Sequence, residues 1–114
     1  GQCGCCTVLI DGQPRVACVT PTRRVKGRSI TTLEGFSAEE RARWGGTFCA
    51  TGASQCGFCT PGMMMASHAL LCETPHPTDL EVRIGLSGNL CRCTGYNMII
   101  KAVQRAAKEG EGLW

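Results

Sequence analysis

Gln55-Cys56-Gly57-Phe58-Cys59-Thr60-Pro61-Gly62 and Asn89-Leu90-Cys91-Arg92-Cys93-Thr94-Gly95-Tyr96 decide how this chain is read. Each stretch places two cysteines just before the start of a helix. In the first, Thr60 is a capping residue followed by Pro61 at the first helical position, where a missing N–H is no loss. In the second, Asn97 is a capping residue directly after the motif. The two pairs are therefore expected to meet where unpaired backbone N–H groups and the positive ends of helix dipoles converge. That setting suits a negatively charged group held by four thiolates. Gly57, Gly62 and Gly95 let the backbone approach closely and aim N–H groups at sulfur. Hydrogen bonds of that kind raise the potential of an iron–sulfur cluster.

A second group is Gln2-Cys3-Gly4-Cys5-Cys6-Thr7, followed by Cys18. Cys3 and Cys6 form a C-x2-C pair on a glycine-containing loop that leads into a strand. Plant-type [2Fe–2S] ligation runs C-x4-C-x2-C and then a distant cysteine. The C-x2-C portion and the distant Cys18 are here, and the first cysteine of the pattern would lie upstream of Gly1.

Ten cysteines in 114 residues leave three chemistries in competition: a disulfide framework, structural zinc and iron–sulfur ligation. Bridges within Cys5-Cys6 or Cys91-x-Cys93 would be strained, although bridges to distant partners stay possible. Zinc stays open on spacing alone, because C-x2-C with C-x-C supplies four thiolates.

Outward from these motifs the chain has two textures. Residues 1 to 33 carry short β-favouring runs, Thr7–Ile10, Val16–Thr20 and Ser29–Leu33. The first two are separated by Asp11-Gly12 with Gln13 and Pro14, a hairpin turn signal. From Ser37 the texture is helical. Ser37 with Glu40 is a capping-box spacing that predicts a helix from Ala38, and Thr78 with Glu81 predicts another from Asp79. The helix opened by Thr60-Pro61 is expected to run to Leu71. A last helix is expected over Met98–Lys108, with Ile99, Val103 and Ala106 or Ala107 on one face and Gly110 ending it. A linker is expected around residues 32–36.

Lys and Arg number 12 against 9 Asp and Glu, too small an excess to imply nucleic acid. The one basic run, Arg23–Arg28, reads as a solvated loop. No apolar run approaches the length of a membrane span, so no integral membrane segment is expected. The chain opens at Gly1 inside a cysteine motif, so a preceding segment is expected and no export signal can be sought.

The strings QCGCCTVLIDG (2–12), QCGFCTPGMMM (55–65) and GNLCRCTGY (88–96) resemble, in order and across nearly the whole chain, the small [2Fe–2S] subunit of the molybdenum hydroxylases. That family includes xanthine dehydrogenase, aerobic carbon monoxide dehydrogenase, and aldehyde, isoquinoline and nicotinate oxidoreductases. The resemblance implies an α+β chain: the remnant of a ferredoxin-like β-grasp domain over 1–33, then a four-helix [2Fe–2S]-binding bundle over 34–114. It implies that Cys56, Cys59, Cys91 and Cys93 hold the cluster nearer a molybdenum cofactor. Cys3, Cys6 and Cys18 would belong to a second cluster nearer a flavin, which lacks its first cysteine in this chain. Gln55 and Cys93 would lie against the molybdopterin.

The partners implied are a large molybdopterin-binding subunit and a medium FAD-binding subunit. The implied role is electron relay from the molybdenum centre to a flavin or other acceptor, with no catalytic residue on this subunit. Cytoplasm is the family's commoner location, with the periplasm left open by the expected missing segment. The rival readings are a zinc-stapled binding module and a standalone ferredoxin-like carrier.

Several residues have plainer expectations. Cys5 sits where the family has a small non-ligand residue and is set aside as a bystander. Cys49 and Cys72 are expected to be small buried hydrophobes. His68 and Met63–Met65 are expected to pack within their helix, and Arg92 to offset cluster charge or pair at the surface.

Overall fold

The computed structural model describes residues 1–114. Asp11 and Gly12 both take positive φ, 51° and 79°, the two-residue hairpin geometry whose twist matches that of paired strands. The turn therefore closes directly after β1 (Thr7–Ile10). The chain returns at once as β2 (Gln13–Val16), with Thr7 opposite Val16 and Ile10 opposite Gln13. The strand expected over Val16–Thr20 is thus displaced: Gln13 and Pro14 lie in the strand, and Ala17–Val19 forms a 3-10 turn. Pro14 is tolerated because the sheet order is β2-β1-β3 and β2 is an edge. On the other side of β1 lies β3 (Ile30–Thr31), with Leu9 opposite Thr31. Residues 33–35 of the expected linker form a 3-10 turn that delivers Phe36 into the core.

Helix α1 (Ala38–Thr51) starts with a complete capping box: Glu40 N–H donates to Ser37 Oγ at 3.1 Å, and Ser37 N–H donates to Glu40 Oε2 at 2.6 Å. Helix α2 (Thr60–Glu73) is buried on every side from Gly62 to Ala69, as a centrally placed apolar helix must be. Its cap position is Cys59 rather than Thr60, so a cysteine occupies the helix entry itself. Helix α3 (Asp79–Gly85) carries the second capping box, Thr78 with Glu81. Helix α4 (Asn97–Glu109) buries Ile99, Ile100, Ala102, Val103, Ala106 and Ala107 along one stripe. Asn97 is its first residue, and Tyr96 takes the cap position at φ 74°, a left-handed conformation that a non-glycine residue adopts only under local constraint.

The expected α+β arrangement is the one observed. A single core joins Leu9 and Phe36 to Trp44, Phe48, Met63, Met65, Leu71, Ile99 and Val103. Full burial of an aliphatic side chain contributes about 1.5–3 kcal/mol. The three methionines and Leu71, all buried, therefore make α2 the element that fastens sheet to helices. His68 packs as expected, its ring 4.3 Å from Phe36. Cys49 and Cys72 do not: both are exposed, each one residue past a buried anchor, Phe48 and Leu71, and so turned to the outer face of its helix.

Candidate metal centre

Cys59 caps α2, and Cys91 and Cys93 lie on the loop that ends at the left-handed Tyr96. Helix packing brings these two entries together around a cavity of about 450 Å³ lined by Cys3, Cys5, Cys56, Cys59, Cys91 and Cys93, with Phe58, Leu90, Arg92 and Tyr96 completing the wall. The four sulfurs singled out from the two helix-entry motifs thus share one space. Cys59 is hydrogen-bonded to Cys91, and Cys93 to Cys56. No three Cys, His, Asp or Glu side chains close on a single-ion point. Two thiol pairs facing one another across a shared cavity would suit a binuclear cluster, with two protein sulfurs available to each iron.

The cavity has a deep side and an open side. Cys59 is buried, Cys91 half-buried, and Cys56 and Cys93 exposed. Burial, then the hydrogen bond to Cys91 and the charge of nearby sulfurs, push the Cys59 thiol up to about 12. Burial also raises Cys91. Hydrogen bonds from the Thr94 side chain and backbone, the Cys93 backbone and Cys59 outweigh it, and hold Cys91 at about 7. Thr94 Oγ1 lies 3.1 Å from Cys91 Sγ, and the Tyr96 hydroxyl accepts from the Cys91 N–H at 3.1 Å. The loop is thereby shaped to favour a thiolate before any metal arrives.

The N-terminal segment brings Cys6 and Cys18 together, whereas Cys3 lines the cavity of the other four sulfurs. Cys18 N–H points at Cys6 Sγ at 3.4 Å, and the Gly1 nitrogen lies 3.1 Å from Cys18 Sγ. The Cys3 thiol is held below its ordinary range, first by the Cys5 backbone N–H and then by the Cys5 side chain. Cys5 faces the cavity beside Cys3 rather than standing apart.

These two sites are stitched to each other. Leu90 N–H donates to the Cys3 carbonyl at 2.8 Å. Asn89, buried, donates through Nδ2 to the Gly4 carbonyl at 3.0 Å and reaches Thr7 Oγ1 at 3.2 Å. The Gly4 carbonyl also accepts from Thr7 N–H at 3.0 Å and from Thr7 Oγ1 at 2.6 Å. Gly62, in the first turn of α2, is pressed onto the same loop. A Cβ there would collide with the Gly4 carbonyl oxygen and lie 3.1 Å from both Cα and C of Cys5.

Gln55 is exposed beside Cys56, and Arg92 is exposed between its two cysteines. Asn89, Thr94 and Tyr96 stand within the motif strings, but nothing in their spacing assigns them a role. Only the packed structure shows that they orient the cysteines around them.

The family described as [2Fe–2S] binding domain matches residues 32–104, a span that holds Cys56, Cys59, Cys91 and Cys93. The chain belongs to the [2Fe–2S] subunits of the molybdenum hydroxylases. It is 47% identical over 112 residues to a probable xanthine dehydrogenase subunit of Bacillus subtilis, covering 98% of this chain and 65% of that protein. It is 43% identical over 109 residues to the nicotinate dehydrogenase small FeS subunit of Eubacterium barkeri, covering 95% of this chain and 69% of that one. It thus spans about two-thirds of these curated relatives. The molybdenum hydroxylase fold is equally clear in solved structures. Quinoline 2-oxidoreductase from Pseudomonas putida 86 superposes with a TM-score of 0.90 at 44% identity, covering 100% of this chain and 73% of that chain.

Proposed function

We propose that this chain is the electron-transfer subunit of a molybdenum hydroxylase, relaying electrons from a molybdopterin centre through two [2Fe–2S] clusters to a flavin or other acceptor. One observation carries the reading: four cysteines from two motifs of a [2Fe–2S]-binding family line one cavity as two facing pairs. Cys56, Cys59, Cys91 and Cys93 would hold the cluster nearer molybdenum. Cys3, Cys6 and Cys18, with a cysteine from outside these residues, would hold the other. Each cluster, when bound, supplies a one-electron reservoir.

This chain's own residues set the conditions for transfer. Thr94 and backbone N–H groups bond to cysteine sulfur, which stabilises the reduced state and raises the potential. Burial at Cys59 and exposure at Cys56 and Cys93 give the centre a closed side and a side open to a partner. Phe58, 76% exposed, and Leu90, 51% exposed, stand on that open rim, where a large molybdopterin-binding subunit would cover them. Gln55 and Cys93, both exposed there, would meet the pterin. A medium FAD-binding subunit would face the Cys3, Cys6 and Cys18 site. Substrate chemistry would belong to the molybdopterin-binding partner.

The deciding experiment is metal and acid-labile sulfide analysis of the subunit purified in its complex, with electron paramagnetic resonance after reduction. Iron and sulfide in equal amounts and two separable reduced-cluster signals are expected. Zinc without sulfide would overturn the reading.

A further inference from the structure

The basic run Arg23–Arg28 is not a loose solvated loop. Two turns shape it, closed by Arg24 N–H to the Pro21 carbonyl at 2.9 Å and by Arg28 N–H to the Val25 carbonyl at 3.0 Å. Asp11, at the hairpin turn, ties it to the sheet. One carboxylate oxygen accepts from Ser29 N–H at 2.9 Å and the other from Arg28 Nη1 at 3.3 Å. The folded run closes over a cavity of about 320 Å³, walled by Arg15, Arg24 and Arg28 and by the apolar Ile10, Val19 and Val25. Arg23 and Lys26, in the same run, do not line it.

Three guanidinium groups share this space with one carboxylate, that of Asp11. Arg28 takes that carboxylate. Arg15 bonds only to the carbonyl of its neighbour Pro14, at 3.2 Å, and Arg24 pairs with no carboxylate of the chain. Beside these two open cations Val19 is 61% exposed. Arginine set against uncovered apolar surface is the composition in which protein interfaces are enriched. A guanidinium fork grips a carboxylate through two parallel bonds. The cavity wall begins at Val19, directly after Cys18.

Building on the two-cluster reading, we propose that this cavity docks a carboxylate-bearing segment of the flavin-bearing partner. Arg15 and Arg24 hold the acidic side chains of that segment, and Val19 and Val25 receive its apolar ones. The subunit that takes the electrons is thereby seated beside Cys18. The arginine run is a recognition element for one partner and adds no ligand to either cluster.

The test uses the complex, with Arg15→Glu and Arg24→Glu in the cavity, and with Arg23→Glu and Lys26→Glu as the same charge change outside it. FAD per iron is measured after washing at rising salt. Both cavity variants are expected to shed FAD at lower salt than the parent, retaining about tenfold less where the parent keeps half. Iron, sulfide and both cluster signals are expected to stay, and the two outside variants to follow the parent. In a further variant, Arg24→Lys, a carbodiimide joins the substituted amine to a carboxylate that it touches, and mass spectrometry identifies the joined peptide. An acidic residue of the flavin-bearing chain is expected.

Unchanged FAD retention in the cavity variants would overturn the proposal. So would equal loss in Arg23→Glu and Lys26→Glu, which would make general charge the cause. A cross-link from position 24 to this chain, to a second copy of it or to the molybdopterin-bearing chain would also overturn it, as would none at all. An unmodified complex without FAD, or with fewer than two cluster signals, is a separate failure, which removes the functional reading beneath this one.

Discussion

Asn89 and Gly4 are joined across 85 positions of sequence by one hydrogen bond, from Asn89 Nδ2 to the Gly4 carbonyl at 3.0 Å. The bond is buried, and it links the loop before Cys91 to the loop between Cys3 and Cys6. The Gly4 carbonyl keeps its two bonds from Thr7 when Asn89 is removed, so the loss is that of one net hydrogen bond, about 0.5–1.5 kcal/mol. Asn89→Ala is expected to lose stability in that range in urea unfolding. Asn89→Asp keeps the shape, loses the donor and sets a carboxylate against a carbonyl, so it should be at least as damaging. An Asn89→Asp variant as stable as the parent would show that volume, rather than the donor, holds the seam.

Glycine-to-alanine changes should have opposite signs in two helices. Inside a helix, Ala is favoured over Gly by about 0.8–1.0 kcal/mol on propensity alone. At Gly46 in α1 nothing lies within 4 Å of an added Cβ, so Gly46→Ala is expected to stabilise by up to about 1 kcal/mol. At Gly62 the same methyl meets the backbone of Gly4 and Cys5. Backbone cannot step aside as a flexible side chain does, and overpacking of this kind costs about 1–3 kcal/mol. Gly62→Ala should therefore destabilise, and unfolding midpoints of the two variants on either side of the parent would confirm the contrast.

His68 should make the fold acid-sensitive in a defined window. Burial holds its imidazole below the ordinary 6.5, and Glu40, 3.8 Å away, offsets this only in part. Between 6.5 and the lower folded value, the unfolded chain binds a proton that the folded chain does not, so stability rises with pH across that interval. The contribution is whole above the unfolded value and declines as pH falls through the window. Thermal midpoints are expected to drop as pH falls below the ordinary 6.5, and His68→Leu should flatten that slope. Carboxylates held below their ordinary range, Glu34, Glu81 and Glu109, act at lower pH and should leave the window clear.

The thiols should sort into two classes on iron content. Cys49→Ser and Cys72→Ser change exposed side chains on outer helix faces and should leave iron, sulfide and turnover of the complex unaltered. Cys59→Ser or Cys91→Ser removes a sulfur from the cavity and should abolish one cluster signal and turnover with an external acceptor. Because the Cys59 thiol is pushed up to about 12 before metal arrives, cluster assembly must release its proton. Reconstitution of the apo-subunit should therefore acidify an unbuffered solution, and Cys59→Ser should release less acid.

Much of this is readable in the residues, for physical reasons that can be named. The capping boxes at Ser37 and Thr78 are local chemistry between residues three apart, and both form. The four cavity cysteines are legible because spacing and helix entry are also local. Strand β2 falls earlier than expected because the run Val16–Thr20 has β-favouring side chains, while the actual start is dictated by the two positive φ angles at Asp11 and Gly12. The expectation of burial for Cys49 and Cys72 rests on residue type, whereas helix phase decides their exposure. The place of Cys5 in the cavity and the bond made by Asn89 are illegible because both exist only once segments more than 50 residues apart are packed together, and no period or spacing announces such a contact.

The stitched seam also has a signature in time. The N–H groups of Thr7 and Leu90 are bonded to carbonyls of the same N-terminal loop, Gly4 and Cys3, although neither lies within a helix. The Leu90 bond crosses the seam and the Thr7 bond holds the turn behind it, so an opening that parts the loop from the Cys91 segment and unwinds that turn would release both protons. The two amides, one near each end of the chain, should therefore exchange at a common rate, a shared clock for every opening that uncovers the cluster-binding sulfurs.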